Sequence, residues 1–191
     1  MTQYIAKWPH ENGLIDWSDP ENKTWQQLIA RQNKIVENRA CDEFLVGLHA
    51  LKLSQHTVPQ LCDVNKTLQK TGWQMVPVNG TVQIEEFFTM LNNRKFPVAN
   101  FIRVPEELDY LQQPDVFHEL FGHGPLLLNA LYADFMQWYG NMALAFSEKK
   151  RKILSRLFWY TIEFGLLKTK KGLRIVGGGI LSSFAETQFC L

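Results

Sequence analysis

Residues 114–125 read Pro-Asp-Val-Phe-His-Glu-Leu-Phe-Gly-His-Gly-Pro, which sets His118 and His123 five positions apart around Glu119. Two imidazoles this close in sequence can share a metal ion if their rings face the same way. On an unbroken α-helix they do not, because five residues at roughly 100° each leave the side chains about 140° apart. The zinc-hydrolase pattern spaces its histidines four apart for that reason. Gly122 and Pro125 suggest an exit. Glycine ends helices in left-handed turns and proline forbids their continuation, so His123 is expected to leave the helix and swing back toward His118.

Two histidines do not choose a metal. Two histidines and one carboxylate on one side of an octahedron form the arrangement of non-haem Fe(II) centres, which keeps positions open for oxygen. The acids available are Asp115, Glu119, Asp134, Glu163 and Glu186, and spacing alone does not decide among them. Asp115 also suits a helix cap. Glu163 is favoured, because it lies in Phe158-Trp159-Tyr160-Thr161-Ile162-Glu163-Phe164. A charge among aromatic rings costs several kcal/mol unless it is paired or metal-bound. The alternative on spacing alone is a pair of ordinary helix-end histidines, since short motifs recur by chance.

These side chains need elements to hold them. Trp17-Ser18-Asp19-Pro20-Glu21 offers an N-cap, a proline for the first helical position and an early acid. A helix is expected from 20 to about 38, with Trp25, Leu28, Ile29, Ile35 and Val36 near helical spacing. Further helices are expected from 41 to about 53 and over 58–70, 84–93, 114–122, 128–146 and 148–165. Extended segments fall at 73–78 and 98–104, with Asn79-Gly80 as a turn and Phe96-Pro97 closing the helix before the second segment. After the turn at Lys170-Lys171-Gly172, residues 173–176 suit a strand. Gly177-Gly178-Gly179 then permits unusual backbone angles or the close approach of another group. The expected fold class is α+β, predominantly α-helical with a small β-sheet. A single domain is expected over 1–191, with an N-terminal helical part (1–72) and the site region in 73–191.

At 191 residues the chain can bury a core without disulfides. Its 20 Lys and Arg against 19 Asp and Glu, a net charge of +1, leave no electrostatic footprint for nucleic acid or a membrane surface. A small partner is expected instead. Cys41, Cys62 and Cys190 are odd in number and contain no CxxC pair, and no leader pattern opens the chain, so a reduced, cytoplasmic setting is expected. The longest apolar stretch, 125–146, is interrupted by Asn129, Asp134, Gln137 and Asn141. It reads as a buried helix, not a membrane span.

PDVFHELFGHGPLLLNALYADFMQWYG and RLFWYTIEFGLLKT closely resemble the catalytic domain of the aromatic amino acid hydroxylases, and FPVANFIRVPEELDYLQQPD and GGGILSSFAETQFCL extend the match. The resemblance runs from about residue 73 to 191 and, more faintly, through the N-terminal third. It implies an Fe(II)- and tetrahydropterin-dependent monooxygenase with His118, His123 and Glu163 as the metal ligands. The cofactor implied is tetrahydrobiopterin or a related reduced pterin. The bacterial phenylalanine-hydroxylating members are the most similar, so conversion of L-phenylalanine and O2 to L-tyrosine is expected. The alternatives are tryptophan or tyrosine hydroxylation, or a metal-binding fragment without turnover. A zinc hydrolase is disfavoured by the five-residue spacing.

By the same resemblance Arg103 binds the substrate carboxylate, to which a guanidinium fork is suited. Pro114 and Trp159 wall the substrate ring, and Ser182, at the substrate site, hydrogen-bonds the first iron histidine. Phe87 stacks on the pterin, Val82 and its neighbours to 84 offer it backbone groups, and Glu119 organises hydrogen bonds near it. Gly124, Phe158 and Ala185 stand where valine, tyrosine and glycine are common in the family. Ala185 is expected to be strained if its backbone needs φ > 0. The family domain usually continues beyond the sequence matching 188–191, so the chain is expected to lack the usual C-terminal portion. A monomer is expected, with no nucleic-acid or membrane partner.

Overall fold

In the computed structural model, which describes residues 4–109 and 113–191, the first helix is α1 (Asp19–Val36). Ser18 is its N-cap, and the Ser18 N–H donates to the Glu21 carboxylate at 2.7 Å, half of a capping box. α1 buries Trp25, Leu28, Ile29 and Val36. The Trp25 indole N–H enters the core and is satisfied on Ser54 O at 2.7 Å, as a buried donor must be. α2 (Asp42–Leu51) and α3 (Leu61–Leu68) follow, the latter continued by a 3-10 turn (Gln69–Thr71) and stopped by Gly72 at φ 73°.

β1 (Gln74–Val78) pairs in parallel with β2 (Lys95–Ala99), and α4 (Ile84–Asn92) is the crossover between them. Pro97 therefore sits inside a strand and does not close the preceding helix, which ends at Asn92. Proline is tolerated there because β2 has a partner on one side only.

α5 (Ala130–Ala145) is capped by Asn129, whose side chain accepts from the Tyr132 N–H at 3.0 Å. This helix is not buried all round as expected. Ala133, Met136, Tyr139 and Ala143 face the core, while Leu131, Phe135 and Trp138 line an exposed side. No helix among the described residues is long and apolar enough to cross a membrane.

α6 (Glu148–Phe158) leads to an antiparallel hairpin of β3 (Leu166–Thr169) and β4 (Gly172–Ile175), then to the short helices α7 (Gly178–Leu181) and α8 (Phe184–Phe189). Among the described residues the small β-structure expected is divided into two separate two-stranded ladders. A bridge ties the hairpin to the front of the chain. The Cys41 N–H donates to Ile175 O at 2.9 Å and the Ile175 N–H to Arg39 O at 2.8 Å.

One hydrophobic cluster joins Trp25, Phe44 and Leu68 to Met75, Phe117 and Leu181, so residues on both sides of position 72 share a core. At its centre Phe117 meets Trp25 (centroids 5.3 Å) and Phe121 (5.1 Å), and Phe121 meets Phe44 at 5.9 Å. Each ring buried this way stabilises the fold by about 1.5–3 kcal/mol. Phe117 and Phe121 also anchor one face of the segment that carries the two histidines and leave its other face toward α7.

Candidate metal centre

His118 and His123 are the two ends of a π-helical turn (His118–His123), and this turn, not a helix exit at Gly122, aligns them. The Gly124 N–H donates to Glu119 O at 3.2 Å, an i→i+5 bond. The backbone stays right-handed through Gly124 (φ −51°) and Pro125 (φ −57°). A turn widened to i→i+5 returns residue 123 to the side of residue 118. The rings meet at 4.9 Å between centroids, with their Nε2 atoms 3.2 Å apart. A second π turn, Trp159–Glu163, ends α6 in the same manner, with the Phe164 N–H on Trp159 O at 3.1 Å, and it delivers Glu163.

Glu163 Oε1 lies 3.2 Å from His123 Nε2, and Oε2 lies 3.7 Å from His118 Nε2. Donors at right angles around one ion, each about 2.1 Å from it, are about 3 Å apart. The three side chains therefore enclose a point that a metal ion fits, and two ring nitrogens aimed at each other beside a carboxylate are what a shared cation reconciles. Among the described residues this is the one group of three metal-ligating side chains, with ligand atoms within 4.8 Å of one another.

Neighbouring groups set the orientation of each ring. Ser182 Oγ lies 2.8 Å from His118 Nδ1, which leaves Nε2 directed at the cluster. His123 Nδ1 is buried without a hydrogen-bond partner among the described residues. Its ring is held instead by packing between Phe96, 4.8 Å away between centroids, and the Gly178 backbone. A Cβ at Gly178 would stand 2.4 Å from His123 Cε1, and none of the three consecutive glycines has positive φ. Close approach is thus the purpose of that glycine run. Gly178→Ala is expected to push the His123 ring aside and weaken metal binding by about tenfold or more, read by cobalt(II) titration.

Burial brings His118 down to about 4, against the pull of Glu163, so its ring is neutral and able to ligate at pH 7. Burial pushes Glu163 up, but His123, His118 and the Gly179 N–H outweigh it and hold the carboxyl well below its usual range. Glu119 has the opposite fate. Burial and the charges of Glu163 and Asp115 push its carboxyl far up, so it keeps a proton where an ordinary glutamate has lost it.

Asp115 is not one of the three converging side chains. It accepts from Arg103 Nε (2.8 Å), Nη2 (2.9 Å) and backbone N (3.0 Å), and from the His118 N–H at 3.0 Å. It therefore caps the histidine segment and immobilises Arg103, which is 6% exposed and not part of a surface ion pair. Asp134 sits on the outer side, paired with Arg94.

A cavity of about 330 Å³ opens beside His118 and Glu163, and Arg103, Pro114, Trp159 and Ser182 share its walls. Glu186 also borders it. Phe87 lies outside that wall and packs edge-on against Phe158, with centroids 5.1 Å apart, and against Phe96, with centroids 6.4 Å apart. Val82 precedes α4 in the connecting loop and does not border the cavity. Ala185 lies within α8 without positive φ, so the strain expected there is absent. At Gly124 a Cβ would stand 2.5 Å from the backbone oxygen of Leu120, which accounts for the missing side chain. Gln32 was not among the candidate site residues. It is 2% exposed on α1, and its only signal in the sequence is a polar residue on the stripe of Trp25, Leu28, Ile29 and Val36.

Two histidines and a carboxylate beside an amino-acid-sized cavity, in a mostly helical fold, define a class. Residues 3–191 match the family model described as biopterin-dependent aromatic amino acid hydroxylase, and the chain belongs to that family. The phenylalanine-4-hydroxylase of Pseudomonas aeruginosa is 50% identical over 191 residues, which is all of this chain and 73% of that protein. The cold-active phenylalanine hydroxylase of Colwellia psychrerythraea superposes with a TM-score of 0.95 at 51% identity, covering 97% of this chain and 72% of that one. A Chromobacterium violaceum phenylalanine hydroxylase with bound iron(III) and oxidised 7,8-dihydrobiopterin gives 0.90 at 45% identity, over 96% and 67% of the two chains.

Proposed function

We propose that the chain is a phenylalanine 4-monooxygenase, converting L-phenylalanine to L-tyrosine with O2 and a tetrahydropterin at a non-haem iron. The observation that carries this reading is the convergence of His118, His123 and Glu163 on one point beside the cavity that holds Arg103 and Trp159. Iron held by those three side chains, with tetrahydrobiopterin or a related reduced pterin as electron source, supplies the activation of dioxygen that ring hydroxylation needs.

The chain's own residues position the reactants. Asp115 takes Nε and one Nη of Arg103, and the remaining N–H groups have no acceptor among the described residues. They suit the carboxylate of an amino acid entering the cavity. Pro114 and Trp159 offer the substrate ring an apolar surface. Trp159 is 56% exposed and is steadied by Phe164, with centroids 4.8 Å apart. Ser182 fixes the His118 ring at the edge of the same cavity. On the pterin side, the reading gives Phe87 a stacking face, Val82 backbone groups and Glu119 a carboxyl that organises hydrogen bonds. A monomer of one catalytic domain, working in a reducing cytoplasm, completes the proposal and accords with the free Cys41, Cys62 and Cys190.

Anaerobic loading with Fe(II), followed by O2, reduced pterin and L-phenylalanine, tests it, with tyrosine measured by chromatography. Iron-dependent tyrosine formation is expected, ahead of hydroxylation of competing tryptophan or tyrosine, although rings of similar shape are separated by only a few kcal/mol. Stoichiometric iron without tyrosine would leave a metal-binding protein and overturn the assignment.

A further inference from the structure

One short segment touches all three side chains of the cluster. Gly178 packs on the His123 ring, the Gly179 N–H reaches Glu163, and Ser182 Oγ meets His118 Nδ1. Its support comes from α1, 149 positions earlier in the chain. The Gln32 carboxamide donates to Leu181 O at 2.6 Å, to Thr187 Oγ1 at 2.8 Å and, at 3.4 Å, to Ser183 O. Thr187, wholly buried, donates its own hydroxyl to Ile180 O in a hydrogen bond of 2.6 Å.

The chemistry calls for such a partner. The last carbonyls of a helix as short as α7 have no donor within it, and buried ones must find a donor elsewhere. Leu181 O, directly before Ser182, is one of them, while Ser183 O on the other side is the N-cap carbonyl of α8 and also accepts from the Thr187 N–H at 3.0 Å. Gln32 lies where an apolar side chain would suit the stripe, and a buried amide is costly unless fully bonded. Among the described residues, every bond its carboxamide makes goes to this one segment and to the Thr187 hydroxyl that braces it. We propose that Gln32 is a positioning residue for the metal centre, fixing the turn that carries Ser182 and through it the orientation of His118. The proposal rests on the iron-site reading above.

The test is cobalt(II) titration of the full chain, followed by the visible absorption of the bound ion, with thermal unfolding measured alongside. Gln32→Met keeps length and volume but removes the donors, and it is expected to weaken cobalt binding by about tenfold, the scale of lost outer-shell support. Ser182→Ala is expected to cost a similar factor. The double variant should bind no more weakly than the worse single one, because both act through one imidazole. Gln32→Glu, which sets a carboxylate against carbonyl oxygens, should bind more weakly than Gln32→Met. Asn129→Ala, which uncaps α5, controls for general destabilisation and should lower the unfolding temperature without moving cobalt affinity.

Unchanged affinity in Gln32→Met overturns the proposal, and so do factors that multiply fully in the double variant. If the unsubstituted chain binds no cobalt, the metal-site reading falls and takes the proposal with it. If it binds and Gln32→Met binds equally well, only the proposal falls. Should Gln32→Met fail to fold, Thr187→Val removes the Gln32–Thr187–Ile180 limb of the brace and is expected to weaken cobalt binding by a smaller factor, unchanged affinity again overturning the proposal.

Discussion

Glu163→Gln is expected to lower affinity for Fe(II) or Co(II) by more than about a hundredfold and to carry tyrosine formation below detection. The substitution conserves volume, so the loss reflects charge and donor chemistry. In the native chain the carboxyl is held ionised by His123 and His118 at 3.2 and 3.7 Å, against the effect of burial. A carboxamide brings no negative charge to balance the cation, and one of its two ends is a donor that a metal repels. Losing a group that merely supports a ligand already costs 10- to about 100-fold, so losing the ligand itself should exceed that. Equilibrium dialysis reads the affinity, and circular dichroism confirms that the helices persist. Metal retained at native affinity would remove Glu163 from the centre.

Asp115→Asn should have the largest effect on stability. Breaking a buried ion pair from one side leaves its partner's charge uncompensated and costs about 3–5 kcal/mol. Arg103 would be left in that position, and the His118 N–H would lose a charged cap. For a domain of this size a loss of 3 kcal/mol lowers the unfolding midpoint by about 6–12 °C. Burial pushes Asp115 up, but the Arg103 charge and its hydrogen bonds prevail and lower the carboxyl from 3.8. Its contribution is therefore full above that value and is lost as pH falls through the lower folded value. Urea unfolding should show the variant far weaker than the native chain at pH 7, with the gap closing in strong acid. Removing Arg103 as well, as Arg103→Met with Asp115→Asn, should recover part of the loss. A pH-independent gap would mean that the pair contributes nothing through its charge.

The sequence reveals some of this better than the rest, for physical reasons. Glu163 stands out because an acid among aromatic rings has few affordable fates. α1 is legible from Ser18, Pro20 and Glu21, which act locally. β3 escapes notice because all but one of its residues are exposed, so no alternation marks it. Pro97 is misleading, since the rule that proline closes a helix holds only where no single partner strand can accept it. The Arg103–Asp115 pair is separated by 12 positions, and no periodicity links such residues. The π turns leave no compositional trace, because Gly122 and Pro125 point equally well to an exit that the backbone does not take.

Those widened turns also constrain how the chain can vary. Each is a helix carrying one residue beyond its natural repeat, equivalent to an uncompensated insertion. Deleting one of the four residues between His118 and His123 would restore regular winding and leave the histidines four apart, within about 40° of alignment. Adding one would set them six apart, about 240° around a regular helix and on different sides of it. A single-codon gain that an exposed loop absorbs would here separate one ligand from the other two, whereas a single-codon loss would not. The segment tolerates shortening by one residue better than lengthening, whatever its residues become.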